Sequence, residues 1–383
     1  MKDLKVIENA RVVLENGIIL DGVVVTKGDR IVDFGKKGSV DIPTGADRID
    51  AEGAYVGPGF VDIHVHGGGG YSTCYNPTEA CEFFLEHGTT TLLATPDYHM
   101  NLKELMEVTR NINAAKGKAR TMRGIYMECP YTNPNYGSHS YMNPWRGAVD
   151  PKEFKLFVDE AGKFVRVWTI APERPDLLPF LEYARRVNPD VVFAVGHSEA
   201  LPSQIRALGK YRPTIETHAM NATGRQNERP NAGIRSFGPD EYCYKEPDVY
   251  CELISDSQGI HVNYEMQRFL IHTKGYHRVI LITDSTVHNN PAPPAFAHIT
   301  DLNFDARGGI AGSKMTMEQA CRNIMTHTNT GIAQAFLMAS RNPAEAVGLG
   351  EELGTIAKGK RADLVFVDDI FNIKKVMLGG SLC

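Results

Sequence analysis

Gly57-Pro58-Gly59-Phe60-Val61-Asp62-Ile63-His64-Val65-His66, running into Gly67-Gly68-Gly69-Gly70, decides how the rest of the chain is read. Residues 60–66 form a short apolar run of strand type, and on a strand residues two apart share a face. His64 and His66 therefore present two imidazoles side by side, while Ile63 and Val65 point the other way. In a parallel barrel the histidines would enter the interior and the apolar pair would meet the helices outside. Two histidines on one strand face can form half of a metal site. The alternative is a chance pair beside a turn.

Beyond this stretch, short apolar runs alternate with helix-length amphipathic segments, which predicts a parallel sheet with crossover helices. Eight runs qualify as strands: 60–66, 90–95, 123–128, 165–170, 191–197, 214–218, 249–254 and 278–284. Eight strands close a TIM-like (β/α)8 barrel. Helices are expected between them, for example over 77–87 and 263–274, and over 315–328 after the last strand. Residues 1–56 instead carry strand-like runs broken by Asn16-Gly17 and Gly28-Asp29. The last stretch, broken at Lys358-Gly359-Lys360 and Gly379-Gly380, reads the same way. The expected organisation is α/β: a barrel over 57–341 and a small β-sandwich built from 1–56 and 342–383.

The chain has 383 residues and 42% hydrophobic content, ample for a large core, and its formal net charge of −5 argues against a nucleic-acid partner. Seven cysteines without a CxxC pair do not make a disulfide framework. No long apolar run at the N-terminus suggests a signal peptide or a membrane span, so a reducing, cytoplasmic setting is expected.

Active sites of such barrels stand where the strands end. Polar residues cluster there: His64 and His66 on strand one, Glu128 ending strand three, His197 strand five, His218 strand six and Asp284 strand eight. Buried imidazoles and carboxylates need partners to offset desolvation, and one divalent cation could serve them all. Taken singly, Glu128 and Asp284 could be helix caps and each histidine a hydrogen-bonded core residue.

The chain resembles the amidohydrolase superfamily and, within it, the branch that deacetylates N-acetylhexosamine 6-phosphates. The resemblance rests on Pro58 to Gly67, Met127-Glu128-Cys129-Pro130, Gly196-His197-Ser198, Thr217-His218-Ala219-Met220-Asn221, Gly259-Ile260-His261-Val262, Thr283-Asp284 and Gly354 to Leu364. It implies hydrolysis of N-acetylglucosamine 6-phosphate to glucosamine 6-phosphate and acetate. The galactosamine epimer, or another N-acyl compound, is the alternative substrate. Glu128, His197 and His218 would hold the principal divalent metal, zinc or iron, with His64 and His66 able to hold a second. Asp284 would move the proton and His139 would polarise the carbonyl. Asn221, Ala222, His261 and Arg229 would bind the phosphorylated sugar, the arginine reaching across a homodimer interface, with Arg225 as its competitor. Where relatives carry glycine after the glutamate this chain has Cys129, either a small buried filler or a thiol that changes the pocket. The loop over 133–145 also departs from the family pattern. A non-catalytic protein on the same fold would have no physical need for so many costly buried groups.

Overall fold

The computed structural model describes residues 3–97, 99–138, 140–224 and 237–383. Its centre is a sheet of eight parallel strands hydrogen-bonded in chain order: β1 Phe60–Val65, β2 Thr89–Ala94, β3 Met122–Met127, β4 Val165–Ile170, β5 Val192–Val195, β6 Ile215–Glu216, β7 Tyr250–Ile254 and β8 Val279–Ile282. One helix follows each strand: α1 Pro77–Glu86, α2 Leu102–Ala114, α3 Pro151–Ala161, α4 Leu178–Val187, α5 Pro202–Ala207, α6 Pro239–Lys245, α7 Tyr264–Lys274 and α8 Met317–Thr328. Local chemistry sets where several begin. Pro77, Pro151, Pro202 and Pro239 open helices with a residue that has no N–H to leave unsatisfied. Asn101 and Glu104 form a reciprocal cap on α2. The barrel closes just past its strand ends, where Asp284 N donates to His64 O at 3.0 Å and His66 N donates to Ser285 O at 2.9 Å. Deeper in, Asp62 accepts from Thr283 Oγ1 at 2.5 Å, and burial pushes its carboxyl up to about 7 against the pull of those hydrogen bonds.

Both chain ends build the small β domain, whose eight strands are joined in one continuous sheet. Val6, Val23 and Val25 pack in one apolar cluster while Ile7 and Val24 pack in another. Neighbouring strand residues point to opposite faces, so both faces of this sheet are covered. Its strand Tyr55–Pro58 pairs antiparallel with Leu364–Val367 and then runs directly into β1. The glycines at this junction are steric requirements. A Cβ on Gly57 would lie 2.3 Å from the Phe336 ring, and one on Gly59 would lie 2.2 Å from Thr90 Oγ1.

On β1 the predicted alternation is interrupted: the pairing with β2 shifts by one residue between Asp62 and Val65. His64 faces the barrel interior, stacked on Tyr126 with ring centroids 4.6 Å apart. Ile63 therefore shares the inner face, in the cluster of Leu93, Tyr126 and Ile254, while Val65 packs outward with Cys81 and Phe84 of α1.

The strands are shorter than the apolar runs suggest. His66, His197, His218 and Asp284 lie beyond the ends of their strands, and three of them take left-handed backbone: φ is 44° at His197, 31° at His218 and 47° at Asp284. A turn of this kind breaks the ladder early, at a cost of about 1–3 kcal/mol per residue that the surrounding packing must offset.

Candidate metal centre

Glu128, the first residue after β3, lies among all four histidines. Its Oε1 lies 2.7 Å from His197 Nε2 and 3.0 Å from His218 Nε2, and its Oε2 lies 3.2 Å from His66 Nε2 and 3.6 Å from His64 Nε2. Two triads result, His64–His66–Glu128 and Glu128–His197–His218, each with ligand atoms within 4.8 Å of one another. Asp284 faces the first, with Oδ1 3.3 Å from His66 Nε2 and 3.7 Å from His64 Nε2. All six residues are brought together, five of them almost wholly buried.

The donor chemistry fits divalent cations. His197 Nε2 and His218 Nε2 stand 3.1 Å apart, a separation at which two imidazole nitrogens need a proton or a cation between them. His64 Nε2 is buried and makes no hydrogen bond among the described residues. Ligand bonds of about 2.0–2.2 Å to imidazole nitrogen and carboxylate oxygen span gaps of this size. Electrostatics agree. Burial would lower the His64 pKa, but Glu128 and Glu252 raise it to about 10, the direction expected where the surroundings favour positive charge. Burial would raise the Glu128 carboxyl, yet His64, His197 and His218 hold it well below the usual range.

Several participants were not singled out in the sequence. Glu252, fully buried on β7, places Oε2 3.2 Å from His64 Nδ1 and 3.2 Å from the His218 peptide N. Asp97, after β2, stands 3.1 Å from His66 Nδ1. Behind His218 the partner is a backbone carbonyl, with Nδ1 2.9 Å from Asn221 O. Glu252 is the sole charged side chain within its apolar run, the same signal that marked Glu128, but it stands in mid-strand and not at an end.

A cleft of about 480 Å3 opens over the centre. Asp97, His99, Asn221, Ala222, Asp284 and His288 are among its lining residues. Asn221 and Ala222 thus stand where a bound molecule would touch them. His261 is buried beside them, its carbonyl accepting from Asn221 Nδ2 at 3.3 Å. Asp256 Oδ2 accepts from His261 N at 2.8 Å and stands 3.1 Å from His261 Nδ1, while His261 Nε2 has no hydrogen-bond partner among the described residues. His139, Arg225 and Arg229 lie outside the described residues. Cys129 is wholly buried in the largest apolar cluster, and burial pushes its thiol well up, as expected of a small filler.

A cluster of four histidines and a shared glutamate at the strand ends of a (β/α)8 barrel defines a metal-dependent hydrolase, and the chain belongs to the amidohydrolase family, which it matches over residues 55–383. Among individual relatives, it is 27% identical to an N-acetylglucosamine-6-phosphate deacetylase of Haemophilus influenzae, over 95% of this chain and 98% of that one. An N-acetylgalactosamine-6-phosphate deacetylase of Shewanella is also 27% identical, over 99% and 96%. The solved N-acetyl-D-glucosamine-6-phosphate deacetylase of Mycobacterium smegmatis is 30% identical, with a TM-score of 0.78 and 99% of both chains covered. No helix among the described residues is long and apolar enough to cross a membrane.

Proposed function

We propose that this protein hydrolyses the acetamide of N-acetylglucosamine 6-phosphate, releasing acetate and glucosamine 6-phosphate. The observation that carries the reading is Glu128 shared by two histidine pairs, with Asp284 at the mouth of the first pair. Imidazole and carboxylate donors suit zinc or iron, one or two ions per chain, in the positions described above. Such a cation supplies Lewis acidity at the carbonyl and makes a water more acidic.

The protein's own groups do the rest. Asp284 accepts the proton of the attacking water and returns it to the nitrogen, since an amide breaks only when its amine leaves protonated. His139 steadies the carbonyl oxygen. Asn221 and the backbone at Ala222 hold the sugar phosphate from the β6 side. His261 donates through Nε2, an atom otherwise left buried and unpartnered. Arg229 completes the phosphate site from a second subunit of a homodimer, because a guanidinium grips phosphate through paired charge-assisted bonds. The catalytic unit spans 57–341, the ends form the sandwich, and the enzyme works in the cytoplasm on a small phosphorylated amino sugar.

Acetate release from N-acetylglucosamine and N-acetylgalactosamine, each with and without 6-phosphate, tests the reading. The phosphorylated gluco sugar should be turned over fastest; equal rates with and without phosphate would refute it. Mixing an Arg229→Ala chain with an Asp284→Asn chain tests the shared site. Subunit exchange should restore part of the activity, and continued inactivity after demonstrated exchange would place the arginine in its own subunit's site.

A further inference from the structure

The two halves of the centre are supported differently. His64 and His66 each have a carboxylate behind the ring, Glu252 at 3.2 Å and Asp97 at 3.1 Å from their Nδ1 atoms. His218 has only the Asn221 carbonyl in that place. On β7, Cys251 and Leu253 join the apolar cluster that contains Leu270 of α7, so Glu252, alternating with them, faces the axis. A carboxylate there is expensive to bury, and its Oε1 makes no hydrogen bond among the described residues. Its other oxygen holds both His64 Nδ1 and the His218 peptide.

We propose that Glu252 is a positioning residue, seconded by Asp97, that fixes His64 and thereby tightens cation binding at the His64–His66–Glu128 position. With Nδ1 donating to Glu252, His64 is fixed in the tautomer whose Nε2 lone pair points at Glu128 Oε2 and Asp284 Oδ1, 3.6 and 3.7 Å away. Those distances are too long for hydrogen bonds. A lone pair set against two carboxylate oxygens is repulsive until positive charge stands between them. At His66 the corresponding carboxylate, Asp97, stands 3.1 Å from Nδ1 as an ion pair without hydrogen-bond geometry. A carboxylate behind a ligating imidazole orients the ring and makes it a stronger donor, and losing such a partner typically costs about 10–100-fold in metal affinity. Because Glu252 also holds the His218 peptide, it sets the spacing between the two positions.

The inference rests on the metal reading of the centre but not on any substrate, and metal content measures it directly. The full-length protein is saturated with zinc, separated from free ion, and titrated with a competing chelator while bound zinc is counted per chain. Wild type should hold two. Glu252→Leu should hold one, with the remaining ion as chelator-resistant as in wild type. Glu252→Gln, which keeps the shape and one acceptor, should hold the second ion about 10–100-fold more weakly. Asp97→Asn should do the same through His66. If Glu252→Leu does not fold, the Gln variant decides. Two ions held by Glu252→Gln as tightly as by wild type would overturn the proposal, as would a wild type that binds only one. A wild type that binds none would overturn the metal reading itself.

Discussion

Replacing Asp256 with Asn should separate phosphate recognition from chemistry. The carboxylate is fully buried and takes hydrogen bonds from the peptides of Gln258, Ile260 and His261 and from the His261 ring side. Burial alone would raise its pKa, but His261 and these donors lower it from 3.8 to about 2. A depressed carboxylate contributes stability that is present above the unfolded pKa, near ~3.9, and lost as pH falls toward the folded value. A difference of nearly two units corresponds to about 2 kcal/mol. Asp256→Asn should therefore be about 2 kcal/mol less stable than wild type in urea at pH 7, and the gap should narrow as the pH falls from about 4 toward 2. The amide also removes the carboxylate that stands 3.1 Å from His261 Nδ1 and orients the ring whose Nε2 faces the phosphate. Hydrogen bonds to charged groups contribute about 1.5–3 kcal/mol, so kcat/KM for the phosphorylated sugar should fall about 10–100-fold, mainly through KM. The slow turnover of the unphosphorylated sugar should be nearly unchanged. An equal loss on both sugars, or no change in KM, would show that His261 does not meet the phosphate.

Asp284→Asn should keep the bound metal and lose about 10²–10⁴-fold in turnover, read by metal analysis beside steady-state kinetics; near-normal turnover would assign the proton to another group. Chelation should abolish activity and lower the unfolding midpoint, since a ligand held at 1,000 times its Kd stabilises by about 4 kcal/mol; zinc or iron should restore both. Gly59→Ala, with its new methyl 2.2 Å from Thr90 Oγ1, should destabilise by about 1–3 kcal/mol in urea unfolding, and Thr90→Ala in the same chain should recover part of that loss.

Much of this architecture is written in the apolar runs. The barrel strands fall on eight apolar runs, several of them longer than the strand itself, and the ligand cluster is legible because polar residues stand near the C-terminal ends of those runs. What escaped the sequence reading was the support behind it. Glu252 and Asp62 look like isolated charges within strands, and only the closed barrel shows that Glu252 meets His64 across the axis and Asp62 meets Thr283 across the seam. Asp97 follows a strand with no other chemistry in it, and Asp256 precedes His261 by five residues with no periodic signal. The left-handed turns at His197, His218 and Asp284 were illegible for a related reason. Histidine and aspartate enter this region more readily than most residues but still uncommonly, so nothing local marks these three among the chain's other histidines and aspartates.

The pairing of Tyr55–Pro58 with Leu364–Val367 has a consequence for how the enzyme comes into being. The strand that carries His64 and His66 is tethered at its base by a segment that leaves the ribosome roughly 300 residues later, a delay of about 15–60 s at 5–20 residues per second. Throughout that interval Tyr55–Pro58 lacks its antiparallel partner. A message cut short just before residue 364 yields a chain with all the proposed ligands present and the partner strand of Tyr55–Pro58 missing.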